Sequence, residues 1–266
     1  MDILREIQKL YSTFSLKEKN IADYIMNKSE EIKNINIVDF AKLVDASSAT
    51  ITRFSKKIGC ESFVDMKMKL NSVKHIEKIS DEEDEGIFSY VYNYYNEVIE
   101  RTKYLIDKES ILKLVNDIKK AKKIYIYGVG SSGFTANEMM QRLLRMGFNV
   151  QGITDSHMMI INSSIVSADD LVIGISISGE TIEVIKALSI CNKNNAKIYS
   201  ITSIENSSIT KYSDKNLLVY NSSFVDKGSF INTQFSVMYL VDLISMVLLK
   251  DTELSSKMQI TINAIT

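Results

Sequence analysis

The sequence predicts two parts of different class: a small all-α domain, then a larger α/β domain with a parallel, doubly wound sheet. Three observations predict this. Over residues 3–75 apolar side chains recur at helical spacing between short polar breaks. A like-charged run, Asp81-Glu82-Glu83-Asp84-Glu85-Gly86, then interrupts the pattern, and from Lys123 onward short apolar runs alternate with helical stretches. At 266 residues, 45% of them hydrophobic, the chain can build one large core or two modest ones, which sets aside disordered and fibrous classes.

In the first part, Ile3-Ile7-Leu10, Ile21-Tyr24-Ile25, Ile37-Phe40-Ala41-Val44, Ile51-Phe54-Ile58 and Phe63-Met66-Leu70 each line one helical face, which predicts about five helices within residues 1–77. Residues 78–86 are expected to be an acidic linker, because like charges stay solvated. Residues 87–266 form the second domain. It opens with helices over Ile87–Ile106 and Ser110–Lys120, followed by strands at Ile124–Tyr127, Val150–Ile153, Leu171–Ile175, Ile198–Thr202 and Leu217–Tyr220. The connections are long enough for crossover helices, so this five-stranded sheet should be parallel. Phe230–Leu249 reads as a long apolar helix that closes the domain or pairs with a second subunit.

Charge and cysteine usage narrow the function classes. The net charge of −1 gives no global nucleic-acid signature, but residues 1–80 carry 14 Lys and Arg against 11 Asp and Glu, about +3, while the remainder carry 18 against 22, about −4. Any affinity for polyanions therefore belongs to the first part. Cys60 and Cys191 are far apart, with only His75 and His157 as other soft ligands, so neither a disulfide framework nor a metal site is expected. The N-terminus lacks the apolar stretch of a secretion signal, and Phe235–Leu249 is too short and carries Asp242, so a cytoplasmic protein with no membrane partner is expected. The absence of proline, in a chain so rich in Lys, Asn and Ile, reads as codon bias.

Two loops carry the chemistry. After the third strand the apolar run breaks into Ser176-Ile-Ser178-Gly179-Glu180-Thr181, where backbone N–H groups at the start of the next helix would face an anion and three hydroxyls can donate to it. After the first strand, Gly128-Val-Gly130-Ser131-Ser132-Gly133 fits a dinucleotide fingerprint, with Asp155 where a ribose-binding acid would sit. The competing reading is a smaller phosphorylated ligand held by Gly130, Ser131 and Ser132. In strand order 2-1-3-4-5 the crevice lies between strands 1 and 3, the two strands that bear these loops, so one phosphosugar explains both motifs; a dinucleotide leaves Ser176–Thr181 idle.

Taken together, the Gly-x-Gly-Ser-Ser and Ser-x-Ser-Gly-Glu-Thr loops resemble the SIS, or sugar isomerase, domain over roughly residues 105–250. The resemblance implies a flavodoxin-like sandwich that binds phosphosugars, usually as a dimer. Ser131 and Ser132 resemble its first-loop contacts, Ser176, Ser178 and Thr181 its phosphate cradle, and Gly179 the residue that permits the tight turn. An isolated Ser or Thr at a helix start is more often only a cap, whereas five on two convergent loops point to a ligand. His157, Glu180 and Glu183 are further ligand contacts in this reading; the plain structural reading makes His157 a scaffold residue, Glu180 a first-turn complement to the helix dipole and Glu183 a solvated helix residue.

In the first part, Val38–Phe54 fits a helix-turn-helix: Ala41 lets two helices approach, Asp45 sits at the turn in place of the usual Gly, Ser47 caps the second helix, and Ile51 and Phe54 point inward. The outward residues Ser48, Ala49, Thr50, Thr52, Arg53, Lys56 and Lys57, with Ser47, combine small groups with cations, as a recognition helix requires. A helical interaction module with an ordinary charged face, or an intradomain ion pair at Arg53, is the plain alternative. Residues 1–75 resemble the DNA-binding domain of RpiR/MurR-type regulators, which is joined to a SIS domain in this order; Ser47-Ser-Ala-Thr50 stands where that family commonly has Ser-Pro-Ala-Thr.

The expectation is a regulator of carbohydrate metabolism, a homodimer or dimer of dimers on a partly palindromic operator in double-stranded DNA, whose affinity a sugar phosphate shifts by binding two states unequally. No cofactor and no catalysis are expected. The alternatives are a sugar-phosphate isomerase using Glu183 or His157 as base, and an NAD-sensing regulator.

Overall fold

The computed structural model describes residues 3–32, 34–71, 84–221 and 232–265. Two compact units divide the chain, the first made mainly of residues up to Glu100 and the second mainly of those from Arg101.

The first unit holds α1 (Ile3–Leu10), a 3-10 turn (Tyr11–Thr13), α2 (Leu16–Ile32), α3 (Ile37–Leu43), α4 (Ser48–Lys57) and α5 (Phe63–Asn71). These match the five spaced apolar sets. Ser15 and Glu18 form a capping box at the start of α2: the Ser15 N–H donates to the Glu18 carboxylate at 2.7 Å and the Glu18 N–H to Ser15 Oγ at 3.4 Å. Aromatic pairs knit the core, with Phe14 against Phe54 at 5.0 Å, Phe40 stacked on Phe63 at 5.3 Å and Tyr24 edge-on to Phe40 at 5.5 Å between centroids. Such pairs add about 0.5–1.5 kcal/mol each beyond their buried area.

The expected acidic linker falls largely outside the described residues, as does His75. Its last residues, Asp84, Glu85 and Gly86, lie in the first turn of α6 (Asp84–Leu105).

The second unit continues with α7 (Lys108–Lys120), β1 (Ile124–Gly128), α8 (Ser131–Arg145), β2 (Val150–Ile153), α9 (Ser156–Ser163), β3 (Leu171–Ile175), α10 (Ile182–Lys193), β4 (Lys197–Thr202), a 3-10 turn (Ser208–Tyr212), β5 (Lys215–Leu218), α11 (Phe235–Leu248) and α12 (Thr252–Asn263). All strands pair parallel in the order β2-β1-β3-β4-β5. Side chains alternate across β1: Ile124 and Ile126 enter a core with α7, α8 and α11, whereas Tyr125 and Tyr127 enter the opposite core with α9 and α10. The chain steps outward from β1 to β2 through α8 and, in the other direction, from β3 to β4 through α10 on the opposite face. The winding therefore reverses between β1 and β3.

Three expectations shift. β5 begins two residues early because Lys215 and Asn216 pair with Tyr199 and Ser200 on this edge, and Asn216 Oδ1 accepts the Ser200 hydroxyl at 2.6 Å. α11 starts at Phe235 because the Gln234 N–H donates to Asn232 Oδ1 at 2.9 Å in a turn ahead of it; the expected start at Phe230 lies outside the described residues. α12 was not anticipated from apolar spacing, since Leu254 is its only buried residue, though Asp251 caps it. Among the described residues no helix is long and apolar enough to cross a membrane, and no group of three or more His, Cys, Asp and Glu is placed to hold a metal.

Candidate functional site

Gly128 and Ile175, the last residues of β1 and β3, lie opposite one another in the sheet. The loops that follow, Val129–Gly130 into α8 and Ser176–Thr181 into α10, therefore leave the sheet side by side. Both feed helices without a side-chain cap. Other helices carry a side-chain cap, Asn36 on α3, Ser47 on α4, Asp107 on α7, Asp155 on α9 and Asp251 on α12, whereas α11, like α8 and α10, starts without one. The open N–H groups of α8 and α10, with their dipoles, make this edge receptive to an anion.

Each loop has a specific construction. Gly130 takes φ +58° and ψ −128°, a backbone closed to side-chain-bearing residues, and so sets Ser131 at the head of α8. Ser131 is exposed and Ser132 buried at 8%. In the second loop, Ser176 Oγ and Thr181 Oγ1 are 2.8 Å apart, so the N-cap hydroxyl of α10 is turned to its neighbour instead of onto its helix. Ser178 is exposed and its Oγ accepts the Glu180 N–H at 3.2 Å. Gly179 holds φ +69°, and a Cβ there would lie 2.0 Å from Ser207 Oγ.

The loop is stitched to the end of β4 by residues that sequence reasoning missed. The carbonyl of Ile177 accepts the Ser203 N–H at 2.9 Å, the Ser203 hydroxyl at 2.7 Å and the Thr202 hydroxyl at 3.2 Å. The signal was the pair Thr202-Ser203 closing the fourth strand, on the same sheet edge as the other hydroxyl loops. Glu180 corrects an expectation: it precedes α10, and its Oε1 accepts the Ser208 N–H at 3.0 Å, so it anchors the loop to the 3-10 turn. Glu183 and His157 are exposed in the first turns of α10 and α9. Asp155, the acid of the dinucleotide reading, caps α9 by accepting the Met158 N–H at 2.9 Å.

In the helical unit, α3 ends in a Schellman turn. The Ala46 N–H reaches the Ala41 carbonyl at 2.9 Å and the Asp45 N–H the Lys42 carbonyl at 3.4 Å, with Asp45 left-handed at φ +47°. Ser47 Oγ then accepts the Thr50 N–H at 3.1 Å to start α4. Ile51 and Phe54 are fully buried, while Arg53 and Lys56 are exposed and Ser48, Thr50 and Thr52 partly so. Among the described residues Arg53 makes no ion pair, and its Nη2 lies 3.5 Å from Thr50 Oγ1. Lys57, also expected to face DNA, is held by Glu18 and the Thr13 carbonyl within its own unit.

A helix-turn-helix unit ahead of a doubly wound domain with an anion-receptive switch point defines a two-domain transcriptional regulator. Residues 1–74 match the helix-turn-helix domain of the rpiR family and residues 117–243 the SIS domain. An HTH-type transcriptional regulator of Clostridium perfringens is 30% identical, covering 94% of this chain and 93% of its own; one of Haemophilus influenzae is 28% identical, covering 95% and 91%. The Vibrio vulnificus NanR protein, solved in complex with ManNAc-6P, is 26% identical with TM-score 0.64 over 99% of this chain and 97% of its own. The chain belongs to the RpiR family of HTH-type transcriptional regulators.

Proposed function

We propose that a sugar phosphate binds where the β1 and β3 loops meet, and that its binding changes the affinity of the helix-turn-helix unit for operator DNA. The observation that carries this reading is the pair of uncapped helices on neighbouring strands, beside the Ser176–Thr181 hydroxyl pair. Open N–H groups, the Ser131, Ser176, Ser178 and Thr181 hydroxyls and two helix dipoles stabilise a dianionic phosphate, and Gly130 and Gly179 let backbone approach it. Ser132, His157 and Glu183 are left to the sugar. The ManNAc-6P held by NanR supports an amino-sugar 6-phosphate as the first effector to test.

On the DNA side, α4 presents Ser48, Thr50, Thr52, Arg53 and Lys56 to the major groove, with Ser47 setting its start. The protein acts in the cytoplasm as a homodimer or dimer of dimers on a palindromic site. Met246 of α11 and Ile260 of α12, 65% and 68% exposed, supply apolar surface for pairing. Ligand shifts operator affinity only by its unequal affinity for the DNA-competent and incompetent states.

A thermal-shift panel of phosphosugars, NAD and NADP on wild type and Ser178→Ala tests the ligand class. Stabilisation by a phosphosugar that Ser178→Ala reduces supports the reading. Stabilisation by dinucleotide alone, indifferent to that substitution, rejects it.

A further inference from the structure

Lys57 closes α4 and was read from sequence as a cation for DNA. An ammonium has three protons to donate, and here all have partners in the protein: Glu18 Oε1 at 3.2 Å, Glu18 Oε2 at 3.1 Å and the Thr13 carbonyl at 3.0 Å. Its charge also sits 5.0 Å from the centroid of the Phe14 ring, which packs on Phe54 of α4 at 5.0 Å. Glu18 is equally committed, since the same carboxylate completes the Ser15 capping box that starts α2. The pair is partly sheltered, with side-chain exposures of 35% and 17%. Lys56, one residue earlier, is exposed and has no ion-pair partner among the described residues.

We infer that Lys57 and Glu18 are positioning residues for DNA recognition: their ion pair fixes the end of α4 against the start of α2 and the 3-10 turn, so that Arg53 and Lys56 meet DNA at a set angle. This rests on the reading of α4 as the recognition helix. A phosphate contact and a strut predict opposite signs for Glu18, because removing a carboxylate near a cation-phosphate contact tightens DNA binding, whereas removing one end of a strut weakens it.

The test measures operator binding by the full-length protein as a function of salt. Under the inference, Lys57→Gln and Glu18→Gln each weaken binding about tenfold, the double variant is no weaker than either, and the slope of log affinity against log salt stays at the wild-type value. Lys56→Gln, by contrast, reduces that slope by about one. The inference is overturned if Lys57→Gln lowers the slope by about one while Glu18→Gln tightens binding, or if the losses of the two single variants add in the double variant. Arg53→Ala separates the two levels: if it also binds as wild type does, the α4 reading fails and takes the inference with it.

Discussion

Thr181 stands at the N-cap of α10 but directs its hydroxyl to Ser176 Oγ, 2.8 Å away, and leaves the first turn of its own helix open. An N-cap hydroxyl normally contributes about 1 kcal/mol to its helix. Here that stabilisation is forgone beside a second uncapped helix, at the point where the winding of the sheet reverses.

Ser178 separates binding from folding. Ser178 is exposed and, among the described residues, its hydroxyl accepts only the Glu180 N–H, so Ser178→Ala should leave the ligand-free melting temperature nearly unchanged. A hydrogen bond to a charged phosphate contributes about 1.5–3 kcal/mol, so calorimetry should show phosphosugar binding weakened roughly ten- to hundredfold.

The positive-φ glycines of the two loops, Gly130 and Gly179, should fail in different ways. At Gly130 an added Cβ meets nothing within 4 Å, so Gly130→Ala should cost only backbone strain, about 1–3 kcal/mol by denaturant unfolding. At Gly179 the same change adds a collision with Ser207. Ser207→Gly should therefore rescue part of the loss at Gly179 and none at Gly130.

Acid should unfold the protein partly through its capping carboxylates. Hydrogen bonds from the Ser110 hydroxyl and backbone hold Asp107 below the usual carboxylate range, and the Lys119 ammonium does the same for Asp251. With folded values below unfolded ones, this stability is present above the ordinary Asp value of about 3.9 and is lost as pH falls through the folded values. Asp107→Asn keeps a capping oxygen without the charge. Its urea midpoint should fall less steeply than that of wild type as pH drops from about 5 to 2.

Arg53 is exposed on α4, with no ion-pair partner among the described residues. Arg53→Ala should reduce discrimination between operator and scrambled DNA by about 1–3 kcal/mol if it reads a base edge. Competition binding at fixed salt measures this.

Much of the fold was legible because it rests on local patterns. Asp45 was recognisable as the turn residue because a short polar side chain tolerates the left-handed conformation, and it sits at φ +47°. Strand order was legible from the two polar loops, since of the two common doubly wound orders only 2-1-3-4-5 sets strands 1 and 3 side by side. What could not be read depended on distant partners. Lys57 looks like its exposed neighbour Lys56 until Glu18, 39 residues earlier, is brought against it. Glu180 looks like a helix-start acid until Ser208 arrives from beyond β4. α12 escaped notice because a helix with one buried residue carries almost no apolar period.

Ligand at the β1–β3 crevice is proposed to change DNA affinity. Fluorescence anisotropy of operator DNA, titrated with the full-length protein across a series of amino-sugar 6-phosphate concentrations, measures this for wild type and Ser178→Ala in parallel. Saturating ligand should shift the wild-type dissociation constant for DNA about 5- to 150-fold, the usual range of coupling, and Ser178→Ala should need roughly ten- to hundredfold more ligand for half of that shift. A phosphosugar that binds the wild type yet leaves its DNA affinity unchanged, or that acts on wild type and Ser178→Ala at the same concentration, would contradict it.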